Sequence, residues 1–284
     1  GCHLEWLSAF LDIMFDTLNS VIQNMVGLLS QSPEAFNGTL YDFAKGLNSV
    51  FQATGLALVV LFFFIGLSDP SHNLAEIKRP EAIIAEFARF LLCQLVVANS
   101  YLILQQISAI GTSLISTAWS AVTSGGGMPT ISADGTVKEA LNEVKFNILS
   151  ISTDMIMLIL LNFIMIVALG IIIIYISVIA YVRFFKIYMY IAIAPLALST
   201  FAARNTSEVG KQFLKSFCGV LLQGLVLVLS LLMFAMFFSN TTIDGGDGAI
   251  TVVWKYFISM FGQLFVLVTV VKGSDQIIQK MLGI

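Results

Sequence analysis

LSISTDMIMLILLNFIMIVALGIIIIYISVIAYV, residues 149–182, carries no charge from Met155 to Val182, and Arg183 and Lys186 close it. The β-branched cluster Ile171–Ile174 suits a strand, but a strand is short, and this run is far longer. As an α-helix rising about 1.5 Å per residue it crosses a hydrocarbon core of about 30 Å. A segment of this kind predicts a transmembrane helix. The question outward from it is whether the flanking sequence repeats the pattern.

It does. On the C-terminal side, residues 187–203 are apolar but short, and Pro195 breaks them near the middle. Arg204, Lys211 and Lys215 come next, then a charge-free span at 217–238. The loop 239–248 holds Asp244 and Asp247, and a last span covers about 250–271, interrupted by Lys255. On the N-terminal side, residues 138–146 read as a short charged helix, and 121–137 as a loop built on Gly125-Gly126-Gly127 and Pro129. Residues 83–119 form a second hydrophobic stretch, too long for one straight crossing, so it must tilt, bend or project. Gln94, Asn99, Gln105 and Gln106 make it too polar to face lipid on all sides. Residues 50–67 are a further uncharged span, stopped by Ser68-Asp69-Pro70, with Lys78 and Arg79 in the loop beyond. Residues 4–29 alternate an apolar face with an acidic and small-residue face at helical spacing, and 1–45 read as an amphipathic helix plus linker ahead of a bundle at 46–284.

Composition agrees. Of 284 residues, 58% are hydrophobic and only 11% charged, against about 25% in an ordinary soluble domain. Mean hydropathy is +0.93. The expected class is therefore an all-α polytopic membrane protein: an amphipathic N-terminal helix, about five transmembrane helices and a Pro-broken re-entrant segment. A net charge of −3 argues against a basic nucleic-acid-binding surface. Cys2, Cys93 and Cys218 lie far apart, so no disulfide framework or zinc site is read, and no cofactor is expected beyond structural lipid. Gly1-Cys2-His3 lacks a basic region before an apolar core, so no cleaved secretory signal is expected.

Basic residues collect on the cytoplasmic side of membrane proteins. If the Pro195 segment dips in and returns, ten of the fourteen Lys and Arg lie inside, leaving Lys45, Lys138, Lys145 and Lys255 outside. If it crosses, Arg204, Lys211 and Lys215 land outside. The re-entrant arrangement, with the N-terminus outside and the C-terminus cytoplasmic, fits the charges better.

The stretch 183–227, RFFKIYMYIAIAPLALSTFAARNTSEVGKQFLKSFCGVLLQGLVL, resembles the TrbL/VirB-type polytopic membrane subunit of type IV secretion and conjugation machines, in the branch found on Gram-positive mobile elements. The shared pattern is a basic aromatic patch, a short apolar segment with a central proline (Pro195), a Thr-bearing loop (Thr206) and a long span opening at Lys211-Gln212-Phe213. Where many relatives carry a Trp, this chain has Phe213 or Phe217. The resemblance implies a non-enzymatic scaffold or translocation-channel subunit in a bacterial cytoplasmic membrane. It implies a homo-oligomeric ring, five-fold by analogy, with phospholipid, secretion ATPases and extracytoplasmic channel or pilus subunits as partners, and transient contact with single-stranded DNA.

Several side chains are candidates for a functional role. Asp154 is an acid inside a span, either a lumen or coupling group or a hydrated helix-end acid. Gln223 and Gln263 are polar groups in spans that suit either interhelical hydrogen bonds or a lumen. Glu86 and Arg89, spaced i,i+3, suit a helix-start ion pair. Arg183, Lys186, Arg204, Lys211 and Lys215 form a basic cluster that either anchors two helices or docks an acidic ATPase face. Pro195 marks the re-entrant break. Val209-Gly210-Lys211-Gln212 comes near a phosphate loop, but Asn205 and Gln212 replace the required Gly and Ser/Thr. The two histidines, His3 and His72, sit in different segments, and no catalytic constellation can be assembled. The alternative function is a self-sufficient transporter or channel for a small solute, a class that commonly shows internal repeats and paired broken helices.

Overall fold

The computed structural model describes residues 2–3, 5–68, 80–124, 130–132, 145–146, 153–239 and 249–283. Among them the chain is helical, apart from a two-residue antiparallel pairing of Cys2–His3 with Lys145–Phe146. The helices are α1 (Glu5–Leu29), α2 (Pro33–Phe36), α3 (Gly38–Leu67), α4 (Pro80–Ala98), α5 (Ser100–Ser124), α6 (Thr153–Leu198), α7 (Ser207–Ser239) and α8 (Ala249–Leu282), with a 3₁₀ turn at Ser199–Ala202. Four of them, α3, α6, α7 and α8, are long and apolar enough to cross a membrane, and the bent pair α4–α5 makes a fifth if it counts as one span. This is an all-α polytopic membrane protein.

The chain divides into two compact units: residues 1–29, 116–180 and 226–276, and residues 30–115, 181–225 and 277–284. In the first, α1 buries Met14, Phe15, Leu18, Ile22, Val26 and Leu29, the three-to-four spacing of one helical face. Phe15 meets Phe238 edge-on, with ring centroids 5.6 Å apart. The Asn19 side chain grips the backbone of Ile131, donating to its carbonyl at 2.8 Å and accepting from its N–H at 3.0 Å. An apolar cleft of about 200 Å³ lies between α1 and α6, lined by Ile13, Met14, Leu18, Ile166, Leu169 and Ile173. Ile159, Phe163 and Ile174 stand exposed on α6, an outer surface that acyl chains solvate and water does not.

The second unit contains the turns that the sequence made hardest to read. Ser32 caps α2, its Oγ accepting from Ala35 N, and Asn37 caps α3, its Oδ1 accepting from Leu40 N. α3 thus begins twelve residues before the expected span at 50, and the division expected between 45 and 46 falls inside an unbroken helix. Phe36 stacks on Phe184 with centroids 4.0 Å apart, and Tyr188 donates to the Pro33 carbonyl at 2.7 Å, tying α2 to α6. Tyr190 packs against Phe213 and Phe217 of α7.

The stretch 83–119 bends, one of the outcomes its length demands: it is two helices, α4 and α5, meeting at Asn99 at 68°. Two other expectations need correction. The short helix expected at 138–146 is described only at 145–146, where the backbone is extended and paired. The re-entrant segment at 187–203 is not a separate hairpin. α6 continues through Arg183, Lys186 and Pro195 to Leu198, so the helix outlasts the charge-free run that those two basic residues close. The chain turns only afterwards, at 199–206. The glycine loop 125–129, the basic loop with Lys78 and Arg79, and the acidic loop with Asp244 and Asp247 lie outside the described residues.

Candidate functional site

Pro195 should interrupt α6. Its ring nitrogen carries no hydrogen, so the carbonyl four residues back, that of Ile191, loses its helical donor. The structure supplies a substitute. Asn48 of α3 is buried, and its Nδ2 donates to the Ile191 carbonyl at 2.7 Å. Its Oδ1 accepts from Ser100 Oγ at 3.3 Å, which orients the amide. One helical turn along, Gln52 Nε2 donates to the Ala98 carbonyl at 2.6 Å, the last carbonyl before the α4–α5 bend. α3 reaches this close because Gly55 has no side chain: a Cβ there would sit 2.7 Å from the Pro195 carbonyl oxygen. A buried carbonyl without a donor is costly, more so away from water, so these amides explain how both interruptions are tolerated.

Beyond Pro195 the chain is held at several points. Ser199 and Thr200 donate to the carbonyls of Leu196 and Ala197 at 2.6 and 2.7 Å, and Thr206 donates to the Thr200 carbonyl at 2.7 Å. The Cys93 thiol lies 3.5 Å from the carbonyls of Leu198 and Ser199. Glu86 pairs with Arg89 at 3.5 Å, as the spacing predicts, and also with Arg204 at 3.2 Å, which the spacing cannot reveal. Together these contacts fasten the 199–206 segment to α4.

The basic cluster divides. Lys211 and Lys215 are exposed at the start of α7, with Lys211 paired to Glu208 at 2.7 Å, and Lys186 is half-buried. Arg204 is exposed while bound to Glu86. Arg183 is not exposed alongside them. It is fully buried, donates from Nε to the Val220 carbonyl at 3.2 Å and lies against the Phe184 ring. A Cβ on Gly224 would overlap its guanidinium, so Gly224 makes the space for it. The missed signal is the pair Arg183 and Gly224, since a cation inside an unbroken apolar helix needs a small residue and a carbonyl opposite it.

Gln223 and Gln263 are both buried, each within a different unit. Gln263 Nε2 donates to Ser259 Oγ at 3.4 Å, one turn back along α8. Asp154 lies in the first turn of α6, and its side chain is outside the described residues. Among the described residues, no three His, Cys, Asp or Glu side chains converge as metal ligands.

The family model of TrbL/VirB6 plasmid conjugal transfer-like proteins matches residues 18–195. The chain belongs to this family. No curated protein matches it. The TrbL/VirB6-like region runs from the middle of α1 to Pro195, and so takes in Asn48, Glu86, Arg89 and the whole of α6 up to its proline. Arg204, Lys211, Lys215, Gln223 and Gln263 fall beyond it. Of the 183–227 stretch that suggested the resemblance, the part up to Pro195 lies inside the match.

Proposed function

We propose that this conjugal-transfer membrane protein is a non-enzymatic scaffold or translocation-channel subunit of the cytoplasmic-membrane part of a type IV secretion machine. The carrying observation is the family match, which extends over most of the helices of a chain with four or five apolar membrane-length helices. On this reading the protein is a homo-oligomer, with five-fold symmetry the first arrangement to test. The secretion ATPases and the extracytoplasmic channel or pilus subunits are its neighbours, and transferred single-stranded DNA passes close by. α6, at about 1.5 Å per residue, is about 69 Å long, twice a hydrocarbon core of about 30 Å. It therefore projects beyond the bilayer. Lys186, Arg204, Lys211 and Lys215 gather at its C-terminal end, and the positive-inside rule then favours a cytoplasmic position for that end. This leaves the N-terminus outside without any re-entrant hairpin. The exposed lysines Lys211 and Lys215 are the surface offered to an acidic ATPase face.

The test is deletion of the gene in donor cells. Transfer should be lost and restored by the wild-type copy, and a charge-reversed Lys211→Glu/Lys215→Glu variant should insert normally yet fail to retain the ATPase. Unchanged transfer in the deletion strain would refute the reading. A tag at Ser207 labelled in intact cells by an impermeant reagent would refute the orientation. The detergent-extracted particle, imaged for rotational symmetry, decides the copy number.

A further inference from the structure

We propose that Pro195 is a hinge in α6 and that the Asn48 amide is the latch that fixes it in the conformation seen here. This does not depend on the conjugation reading. A helix with an internal proline ordinarily kinks, because a hydrogen bond is missing and the ring presses on the preceding turn. α6 runs on through Pro195 because the missing donor comes from a different helix, at the Ile191 carbonyl that proline leaves vacant. At the Ile191 carbonyl the latch is a single bond between neutral groups, set by Ser100 and brought within reach by Gly55, while Cys93 and Glu86 of α4 touch the segment further on.

The segment beyond the hinge is built to move as one piece. Ser199, Thr200 and Thr206 fold their hydroxyls back onto carbonyls of the same segment, so residues 196–206 are internally tied. That piece carries Arg204, whose carboxylate partner Glu86 stands on α4. Released at Asn48, the piece can rotate about Pro195 and withdraw Arg204 from Glu86. The same helix that supplies the latch also caps the α4 end through Gln52. A shift of α3 along its axis therefore acts on both breaks together. A partner that binds the exposed Arg204 region and one that displaces α3 would be coupled through this one bond.

The experiment uses the full-length chain in lipid nanodiscs. Spin labels carried on unnatural amino acids replace Met189 and Asn205, which are both exposed and flank the hinge, so the native cysteines stay in place. The Asn48 protein should give one narrow distance. Asn48→Leu should raise the bent population roughly tenfold, seen as a second distance. Adding Pro195→Ala to Asn48→Leu should abolish the second distance, because alanine at the hinge returns an N–H to the Ile191 carbonyl. A merely structural contact has no reason to be rescued by that substitution. The proposal fails if Asn48→Leu leaves the distance unchanged, or if the second distance is as large in the double variant as in Asn48→Leu alone. If Asn48→Leu does not fold, folding of the double variant supports the latch, and failure of both overturns it.

Discussion

α6 and the α4–α5 pair are both interrupted, and they respond in opposite ways. α6 contains a proline and stays continuous, while α4–α5 has neither proline nor glycine at its break and bends by 68°. The difference lies in what the freed backbone groups find. At Pro195 a side-chain donor from α3 replaces the lost N–H in place, and the helix runs on to Leu198. At the α4–α5 break, the Leu95 carbonyl keeps its helical bond from the Asn99 N–H at 3.1 Å and also accepts the Asn99 Nδ2 at 2.9 Å, while Gln52 donates to the Ala98 carbonyl. α3 thus supplies a side-chain donor at each break, to a carbonyl inside a continuing helix at Pro195 and to the last carbonyl of an ending one at Ala98.

The contact between α3 and Pro195 is most sensitive at Gly55. Gly55→Val should cost about 3 kcal/mol or more, because the new side chain meets the Pro195 backbone, which cannot retreat. A large fall in thermal melting temperature in detergent is the expected result. Next comes Asn48→Leu, which leaves the Ile191 carbonyl dry and should cost about 1–3 kcal/mol in the same assay. Gln52→Leu should cost less, about 1 kcal/mol, and should change the angle between α4 and α5 rather than the continuity of α6. A spin-label pair across Asn99 reads that separation. The smallest effect belongs to Glu86→Gln, which removes a half-exposed ion pair with Arg204. It should cost less than about 1 kcal/mol, an amount that shrinks further in high salt.

Much of the fold was legible because it depends on local pattern. The long apolar runs at 50–67, 217–238 and 250–271 lie inside observed helices, as does 149–182 from Thr153 onward, and the excess length of 83–119 correctly demanded a bend or a projection. The Glu86–Arg89 pair was legible for the same reason, since i,i+3 spacing on a helix dictates it. The candidate site was less legible. Asn48, Gly55 and Ser100 carry the contacts at Pro195 and Gln52 the one at Ala98, yet nothing in their own neighbourhood marks them out from other small and polar residues of the helices. Arg183 looked like one more cation in a basic patch, and only its packing against Gly224 shows that it is interior.

The sequence by itself determined that this chain is a helical membrane bundle, because hydrophobic length and helical rise are properties of a single segment. It also placed Pro195 within an apolar stretch, and once that stretch is helical the covalent structure of proline leaves the carbonyl four residues back, that of Ile191, an orphan. Whether the orphan would break the helix depended on a donor 143 positions away in sequence. Only the packing of α3 against α6 decided that, for a hydrogen bond has a reach of about 3 Å, and no local pattern specifies which distant amide will arrive within it.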